Sequence, residues 1–441
     1  DGESRPNFKV SEKNEKFAYR INRLIKNMRR VVVTGIGALT PIGNDVASYA
    51  EGLRQGRSGA GPITRFDATH FKTRFACEVK NFDAEKYIHK REVRRMDPFT
   101  HYAMAVAEEA MKNAGLEGAT IDFDRAGVIW GSGIGGFETI EHDIEEAAAW
   151  TGEPKYSPFL IPKLIADIAP GLISIKYGFR GINYATVSAC ASSTHAIGNA
   201  FDYIRMGRAD VMITGGSEAA VTKAGIGGFS SMKALSERND DATTASRPFD
   251  KDRDGFVLGE GAGCLILEEY EHAKRRGAHI IAEIAGVGMT ADAYHMTAPH
   301  PEGLGATNVM KLALADAGLQ PEDIGYINVH GTSTPLGDVA ESKAILNVFG
   351  DHAYKLNISS TKSMTGHLLG AAGAIEALAC IIALRDGFIP PTINHFTDDP
   401  DIDGGLNFTF NQAQEKSIKA ALSNTFGFGG HNASVIIKKV D

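Results

Sequence analysis

Cys190 occurs in the run Ala185-Thr186-Val187-Ser188-Ala189-Cys190-Ala191-Ser192-Ser193-Thr194. A β-favouring stretch, Tyr184 to Val187, ends in small residues. A helical pattern follows, with Ala196, Ile197, Ala200, Phe201 and Ile204 on one face. The spacing predicts strand, sharp turn and helix, with a thiol at the turn. A helix N-terminus presents free N–H groups and partial positive charge. Both favour the thiolate, the form of cysteine that attacks carbonyls, and the small neighbours leave room for an acyl group. A cysteine that serves only as a small buried hydrophobe is the competing reading. Partners elsewhere in the chain must decide.

Two histidines offer themselves as partners. His330 ends a predicted strand and is followed by Gly331-Thr332-Ser333-Thr334-Pro335, a glycine and three hydroxyls in a loop. His367 follows Lys362-Ser363-Met364-Thr365-Gly366 and is expected to open a second buried helix. Positive charge is disfavoured at that helix end, so its imidazole should stay neutral, able to donate to an oxyanion or act as a base. Each histidine read alone is equally a satisfied polar residue. Glu376 lies inside the same apolar run, where a carboxylate needs a partner. Lys362 is the nearest attractive one.

Phe426-Gly427-Phe428-Gly429-Gly430-His431-Asn432 precedes the last predicted strand, Ala433 to Lys438. Its glycines permit unusual backbone angles. It reads as an apolar gate or as a bulged hairpin turn with packed rings. Gly131-Ser132-Gly133-Ile134-Gly135-Gly136 matches GxGxxG after a strand. A nucleotide site would also need a helix opening there and an acidic strand end about 20 residues on. That later region holds Pro154 and Pro158 and is loop-like. The wall of a substrate pocket is the better reading.

The elements that must position these groups repeat. Ala103 to Gly115 is helical, then come an acidic linker, a strand over Gly127 to Trp130 and a glycine loop. Asn308 to Gly318 is helical, then come Pro321-Glu322-Asp323, a strand over Tyr326 to Val329 and His330. Strand 183–188 leads through Cys190 into a helix ending at Gly207, and strand 356–360 leads through Lys362 into a helix ending at Gly387. Alternating strands and helices predict mostly parallel sheets covered by helices. The expected architecture is a duplicated α/β body with two related sheets and central Ala/Gly-rich helices. Pseudo-symmetry would bring Cys190 to face the loops of His330 and Lys362–His367.

Composition sets the outer limits. The chain has 441 residues, 43% of them hydrophobic, which is globular and long enough for two or three domain-sized units or one large body. A net charge of −8 disfavours nucleic acid. Four widely spaced cysteines (Cys77, Cys190, Cys264, Cys380) form no CxxC pair, so neither a zinc ribbon nor a disulfide framework is expected, and free thiols fit a reducing compartment. The longest apolar stretch, Leu368 to Leu384, is broken by Gly370, Gly373 and Glu376 and reads as a buried helix, so no membrane insertion is expected. Residues 1–27 are polar and of mixed charge and read as an extension or leader outside the fold. Residues 28–275 are taken as the half carrying Cys190, and 276–441 as the half carrying His330, Lys362 and His367.

In combination these motifs closely resemble the elongating condensing enzymes of fatty-acid synthesis, the β-ketoacyl-acyl-carrier-protein synthases of the thiolase superfamily, and among them the type II synthases. The resemblance runs from about Arg29 to Lys439 and includes Val31-Val32-Val33-Thr34-Gly35-Ile36-Gly37 besides the motifs already given. It implies the layered αβαβα thiolase fold and usually a homodimer. It also implies Cys190 as the acylated nucleophile, His330 and His367 as the pair serving decarboxylation and the carbanion step, and Lys362 with Glu376 as their support. Backbone N–H groups of Cys190 and Phe428 would form an oxyanion hole. Phe428 would gate the site, and Ile134, Phe229, Thr332, Thr334 and Phe426 would line the substrate pocket.

The implied partner is acyl-carrier protein, in acyl and malonyl forms, docking on Arg91, Arg94, Arg95 and Lys233. No redox cofactor or metal is implied, which leaves room for a structural monovalent cation. The implied location is the cytoplasm, or an organellar matrix if residues 1–27 are a targeting remnant. His431 stands where many relatives carry threonine; a ring that reached the gate would alter its motion or pH response. A degradative thiolase would need a second reactive cysteine near the C-terminus, and the last one here is Cys380 in an apolar run. A polyketide-type ketosynthase shares the Cys-His-His set, and a chain-length-factor partner shares the fold without the nucleophile.

Overall fold

The computed structural model describes residues 28–440 apart from Pro154. The expectation for residues 1–27 therefore lies outside the described residues. Ten strands form one hydrogen-bonded sheet: β1 (Val31–Leu39), β2 (Ala126–Gly131), β3 (Asn183–Thr186), β4 (Val211–Glu218), β5 (Gly261–Glu269), β6 (Ala282–Ala291), β7 (Ile324–Asn328), β8 (Asn357–Ser359), β9 (Ala420–Gly427) and β10 (His431–Lys438). Their spatial order is β8-β7-β9-β10-β6-β1-β5-β4-β2-β3.

That order carries the duplication. Read outward from the middle, β1-β5-β4-β2-β3 and β6-β10-β9-β7-β8 are the same sequence of strands. The orientations repeat too. In each half the three outer strands are parallel and the two inner pairings are antiparallel, so the sheet is mixed, as the resemblance implies, and not mostly parallel as strand–helix alternation predicts. The two related sheets are continuous, because β1 and β6 pair antiparallel at Val31–Ile284, Val32–Glu283 and Val33–Ala282.

Strand periodicity sorts side chains into separate cores. Ile129, Met212, Leu265 and Leu267 face the central core, whereas Val128, Ile213 and Ile266 face an outer one. In the second half Tyr326, Ala421, Val435 and Ile437 point inward, and Ile327, Leu422 and Ile436 point outward. Successive strand residues face opposite sides, so strands buried on both faces are apolar throughout. Helix α1 (Pro98–Asn113) covers the outer face of the first half. α2 (Ser192–Arg205) lies in the central layer, and α3 (Leu304–Ala317) covers the outer face of the second half. α4 (Ala372–Asp386) joins α2 in the centre. Outer helix, sheet half, central helices, sheet half and outer helix make the five layers.

α4 is buried on every side from Ala372 to Leu384. This accounts for a helix with no polar face except Glu376. The glycine stops predicted at 207 and 387 are both left-handed, at φ +77° and +72°. Among the described residues no helix is long and apolar enough to cross a membrane.

Candidate active site

β3 ends at Thr186, and α2 begins at Ser192. Between them Ala189 adopts φ +50°, a strained angle for a residue with a Cβ. That single left-handed residue makes the sharp turn. It presents Cys190 at the wall of a cavity of about 620 Å³. The thiol is 7% exposed, and its Sγ lies 3.0 Å from His367 Nε2. His330 stands across from His367, with ring centroids 5.3 Å apart and planes at 86°. His330 also meets Phe426 at 5.7 Å, and Phe256 packs edge-on to His367 at 5.3 Å.

The thiol is held protonated at rest. Burial pushes Cys190 up to about 12, against the opposing pull of Lys362 and of the backbone N–H groups of Phe428 and Cys190 itself. Desolvation thus opposes the thiolate that a helix N-terminus would favour. The turn does supply N–H groups, but desolvation outweighs them.

His367 also differs from expectation in placement. It precedes a short 3₁₀ turn, Leu369–Ala371, and α4 begins only at Ala372. No helix N-terminus acts on it directly. Its pKa lies well below 6.5 because of burial, then the charge of Lys362. His330 is lowered by burial, then by Lys362 and His367. Both rings are therefore neutral at physiological pH. For a histidine whose pKa falls on folding, protonation is resisted as pH drops through 6.5. The rate of the chemical step should accordingly show no histidine transition between pH 6 and 8, which a pH–rate profile checks.

Lys362 sits in a short helical turn, Lys362–Thr365, and pairs with Glu376 of α4. Both are buried. Burial raises Glu376 to about 7, while Lys362 pulls it down. The pair expected from sequence is formed.

The glycine-aromatic segment has the hairpin form of its second reading and borders the cavity. It is a tight hairpin between β9 and β10, and Phe426, Gly427 and Phe428 line the cavity. A Cβ on Gly427 would stand 2.8 Å from Ser188 O and 3.1 Å from Cys190 N. It would intrude on the N–H groups beside the thiol. Gly427→Ala should slow Cys190 acylation about 100-fold, the usual effect of losing one oxyanion donor; stopped-flow acylation tests this.

Residues 28–273 match the family described as Beta-ketoacyl synthase, N-terminal domain, and residues 281–396 match Beta-ketoacyl synthase, C-terminal domain. The chain belongs to the β-ketoacyl synthase family. It is 51% identical over 411 residues to a 3-oxoacyl-[acyl-carrier-protein] synthase 2 of Synechocystis, covering 93% of this chain and 98% of that one. It is 50% identical to the protein of the same name from Coxiella burnetii, covering 93% and 99%. A β-ketoacyl synthase structure from Burkholderia phymatum superposes with TM-score 0.86 at 37% identity, covering 94% of this chain and all of that one. The ishigamide ketosynthase/chain length factor superposes with TM-score 0.88 at 38% identity, with the same coverage. The chain is thus an acyltransferase with the thiolase-like ketosynthase fold.

Ile134, Phe229, Thr332, Thr334, Phe426 and Phe428 all line the cavity with Cys190, His330 and His367. Lys233 lies on its rim, exposed, at φ +56°. Arg91, Arg94 and Arg95 are exposed and do not line it. Arg95 pairs with Glu92 at 2.9 Å and lies over the Phe159 ring at 5.2 Å. His431 does not line the cavity either; its ring meets His195 at 6.4 Å.

Sequence reading missed two carboxylates. Glu341 accepts the N–H groups of His330 and Gly331, at 2.9 and 2.8 Å, and so orders the His330 loop. Glu218, at the end of β4, accepts from four donors around the cavity wall. Both are buried. The argument that flagged Glu376, a carboxylate among apolar residues, would have found Glu218 in Ser217-Glu218-Ala219-Ala220 as well. A helix does open after the GxGxxG loop, at Phe137. The N–H groups of that loop that would face a phosphate are taken instead by the Glu218 carboxylate.

Proposed function

We propose that the chain elongates acyl groups by decarboxylative condensation on acyl-carrier protein, with Cys190 as nucleophile. The observation that carries this reading is the Cys190–His367–His330 cluster against an apolar cavity. Cys190 attacks the thioester carbonyl of an acyl-carrier protein. Backbone N–H groups of Cys190 and Phe428 receive the negative oxygen, the carrier thiol leaves, and the acyl group stays on sulfur. Covalent capture splits one hard step into two.

Malonyl-carrier protein enters second. Its carboxylate departs as carbon dioxide, and the electron pair of that bond becomes an enolate. His330 and His367 donate to the enolate oxygen; neutral rings are suited to this because they carry an N–H without demanding a counter-ion. The enolate carbon attacks the acyl-cysteine, the cysteine sulfur leaves and regains a proton, and a 3-ketoacyl chain two carbons longer is released. The balance of atoms and electrons requires neither a redox cofactor nor a metal. Lys362 and Glu376 hold the electrostatic setting of the two rings.

Arg91, Arg94, Arg95 and Lys233 are the proposed docking cations for the acidic carrier protein; such rim charges govern encounter rate and salt sensitivity. A homodimer fits the edge of the sheet. β3 ends the strand order, and Val187 and Ile175 beside it are 64% and 78% exposed. A bare edge flanked by apolar side chains suits pairing with a second copy. The four free, buried cysteines support a reducing compartment, the cytoplasm or an organellar matrix.

The test is a two-stage reaction. Acyl-carrier protein should load the protein by the mass of the acyl group, and malonyl-carrier protein should discharge it as the 3-ketoacyl product. Loading without discharge would leave a simple acyltransferase, and no loading of folded protein would remove the reading altogether.

A further inference from the structure

Glu218 is the most heavily hydrogen-bonded buried carboxylate around the cavity that the mechanism leaves unused. It is fully buried at the end of β4, and no cation pairs with it among the described residues. Its Oε2 accepts from Gly133 N at 2.7 Å and Gly370 N at 2.9 Å. Its Oε1 accepts from Ser132 Oγ and Ile134 N, each at 3.2 Å. The donors come from two different halves. Ser132, Gly133 and Ile134 form the cavity wall after β2. Gly370 belongs to the 3₁₀ turn that follows His367 by two residues. Both glycines are moulded to the carboxylate. A Cβ on Gly133 would lie 2.8 Å from Oε2, and one on Gly370 would lie 2.7 Å from it. Leu369, between His367 and Gly370, is held at φ +47°.

We propose that Glu218 is a positioning residue that ties the acyl-pocket wall at Ile134 to the turn behind His367, so that acyl-chain selection and imidazole placement share one support. This rests on the condensing reading above. The physical basis is the carboxylate's two oxygens and multiple lone pairs, which accept several N–H donors at once. An amide cannot, because its NH₂ would face a donor. Glu218→Gln with its oxygen toward Gly133 and Gly370 keeps those two bonds. It loses the one from Ile134. Glu218→Ala loses all four.

The consequence is an effect that depends on chain length. A loosened Ile134 wall matters for acyl groups long enough to reach it and little for acetyl. The experiment loads full-length wild type, Glu218→Gln and the milder Ser132→Ala with acetyl-, octanoyl- and hexadecanoyl-carrier protein. Steady-state kinetics with malonyl-carrier protein then separate KM from kcat, and circular dichroism verifies folding. Glu218→Gln should raise KM for the long chains about tenfold, the scale of losing one hydrogen bond to a charged group, and for acetyl less than about twofold. Ser132→Ala, which removes one donor to the carboxylate and the acceptor of the Gly135 N–H in the same wall but leaves the carboxylate itself, should move the same ratio less. A uniform change across chain lengths in both variants, or none, would overturn the inference and leave Glu218 a plain structural carboxylate. If Glu218→Gln does not fold, Ser132→Ala alone decides by the same ratio. Wild type that takes no acyl group would bring down the condensing reading itself, and this inference with it.

Discussion

Cys190→Ala abolishes the acyl-enzyme and lowers turnover on the order of 10⁴- to 10⁶-fold, the range seen when a covalent nucleophile is deleted. The geometry leaves no substitute. Cys77, Cys264 and Cys380 are all buried and do not line the cavity. Burial pushes Cys77 up to about 12, and Cys264 and Cys380 also lie above the usual thiol range. Because Sγ and its neighbours are small, alanine removes little packing, and the variant should melt close to wild type. Intact mass after incubation with acyl-carrier protein checks the first claim and calorimetry the second. An adduct on the alanine variant would mean that another residue carries the acyl group. The same experiment bears on pH. Burial pushes the Cys190 thiol up to about 12, so its proton must leave as the thioester is attacked, passing to His367 Nε2 at 3.0 Å and from there to the departing carrier sulfur, which leaves as the thiol.

Lys362→Met should damage activity and stability together, and a second change should separate them. Lys362 lowers the pKa of both histidines and pairs with Oε1 of Glu376, whose Oε2 has no hydrogen-bond partner among the described residues. Removing one member of a buried ion pair costs about 3–5 kcal/mol, because the other is left charged and unpaired. The sign with pH follows from Glu376. Its folded value, about 7 even with Lys362 present, lies above its ordinary 4.5, and without Lys362 it rises further. The unfolded chain then releases its proton first. Stability is fully kept below 4.5 and lost as pH rises through the window up to the folded value. The fall in Tm for Lys362→Met should therefore be larger at pH 8 than at pH 5.

Lys362→Met/Glu376→Leu removes both charges and should recover most of the Tm. It should not recover turnover, expected to stay about 10²- to 10³-fold down because the histidines have lost their electrostatic setting. Recovery of turnover by the double variant would make the pair purely structural.

Several features were legible because they are local. The Cys190 turn, the glycine stops and the strand–helix alternation depend on neighbours within a few residues, and the structure has them where the pattern places them. The repeat was legible for the same reason, since each copy carries its own periodicity. Less visible was the helix boundary after His367. The run Leu368–Leu384 is apolar throughout, and a helix buried on all sides has no periodicity to mark its start. The roles of Glu218 and Glu341 were hidden because their partners are backbone N–H groups, which every residue has. Nothing in residue type marks Gly133 or Gly370 as donors to a carboxylate 85 or 152 positions away.

The sequence by itself determined which groups are present, that they sit at turns of a twice-repeated α/β unit, and, through the motifs together, the family. Only the three-dimensional packing sets how far burial shifts the pKa values of the thiol and the two imidazoles. The packing that brings His330, Lys362 and His367 to Cys190 also strips water from the thiol and pushes its pKa up, against the thiolate that the turn would favour. Desolvation depends on what surrounds a group in three dimensions, and here it outweighs the local N–H groups that the sequence could supply.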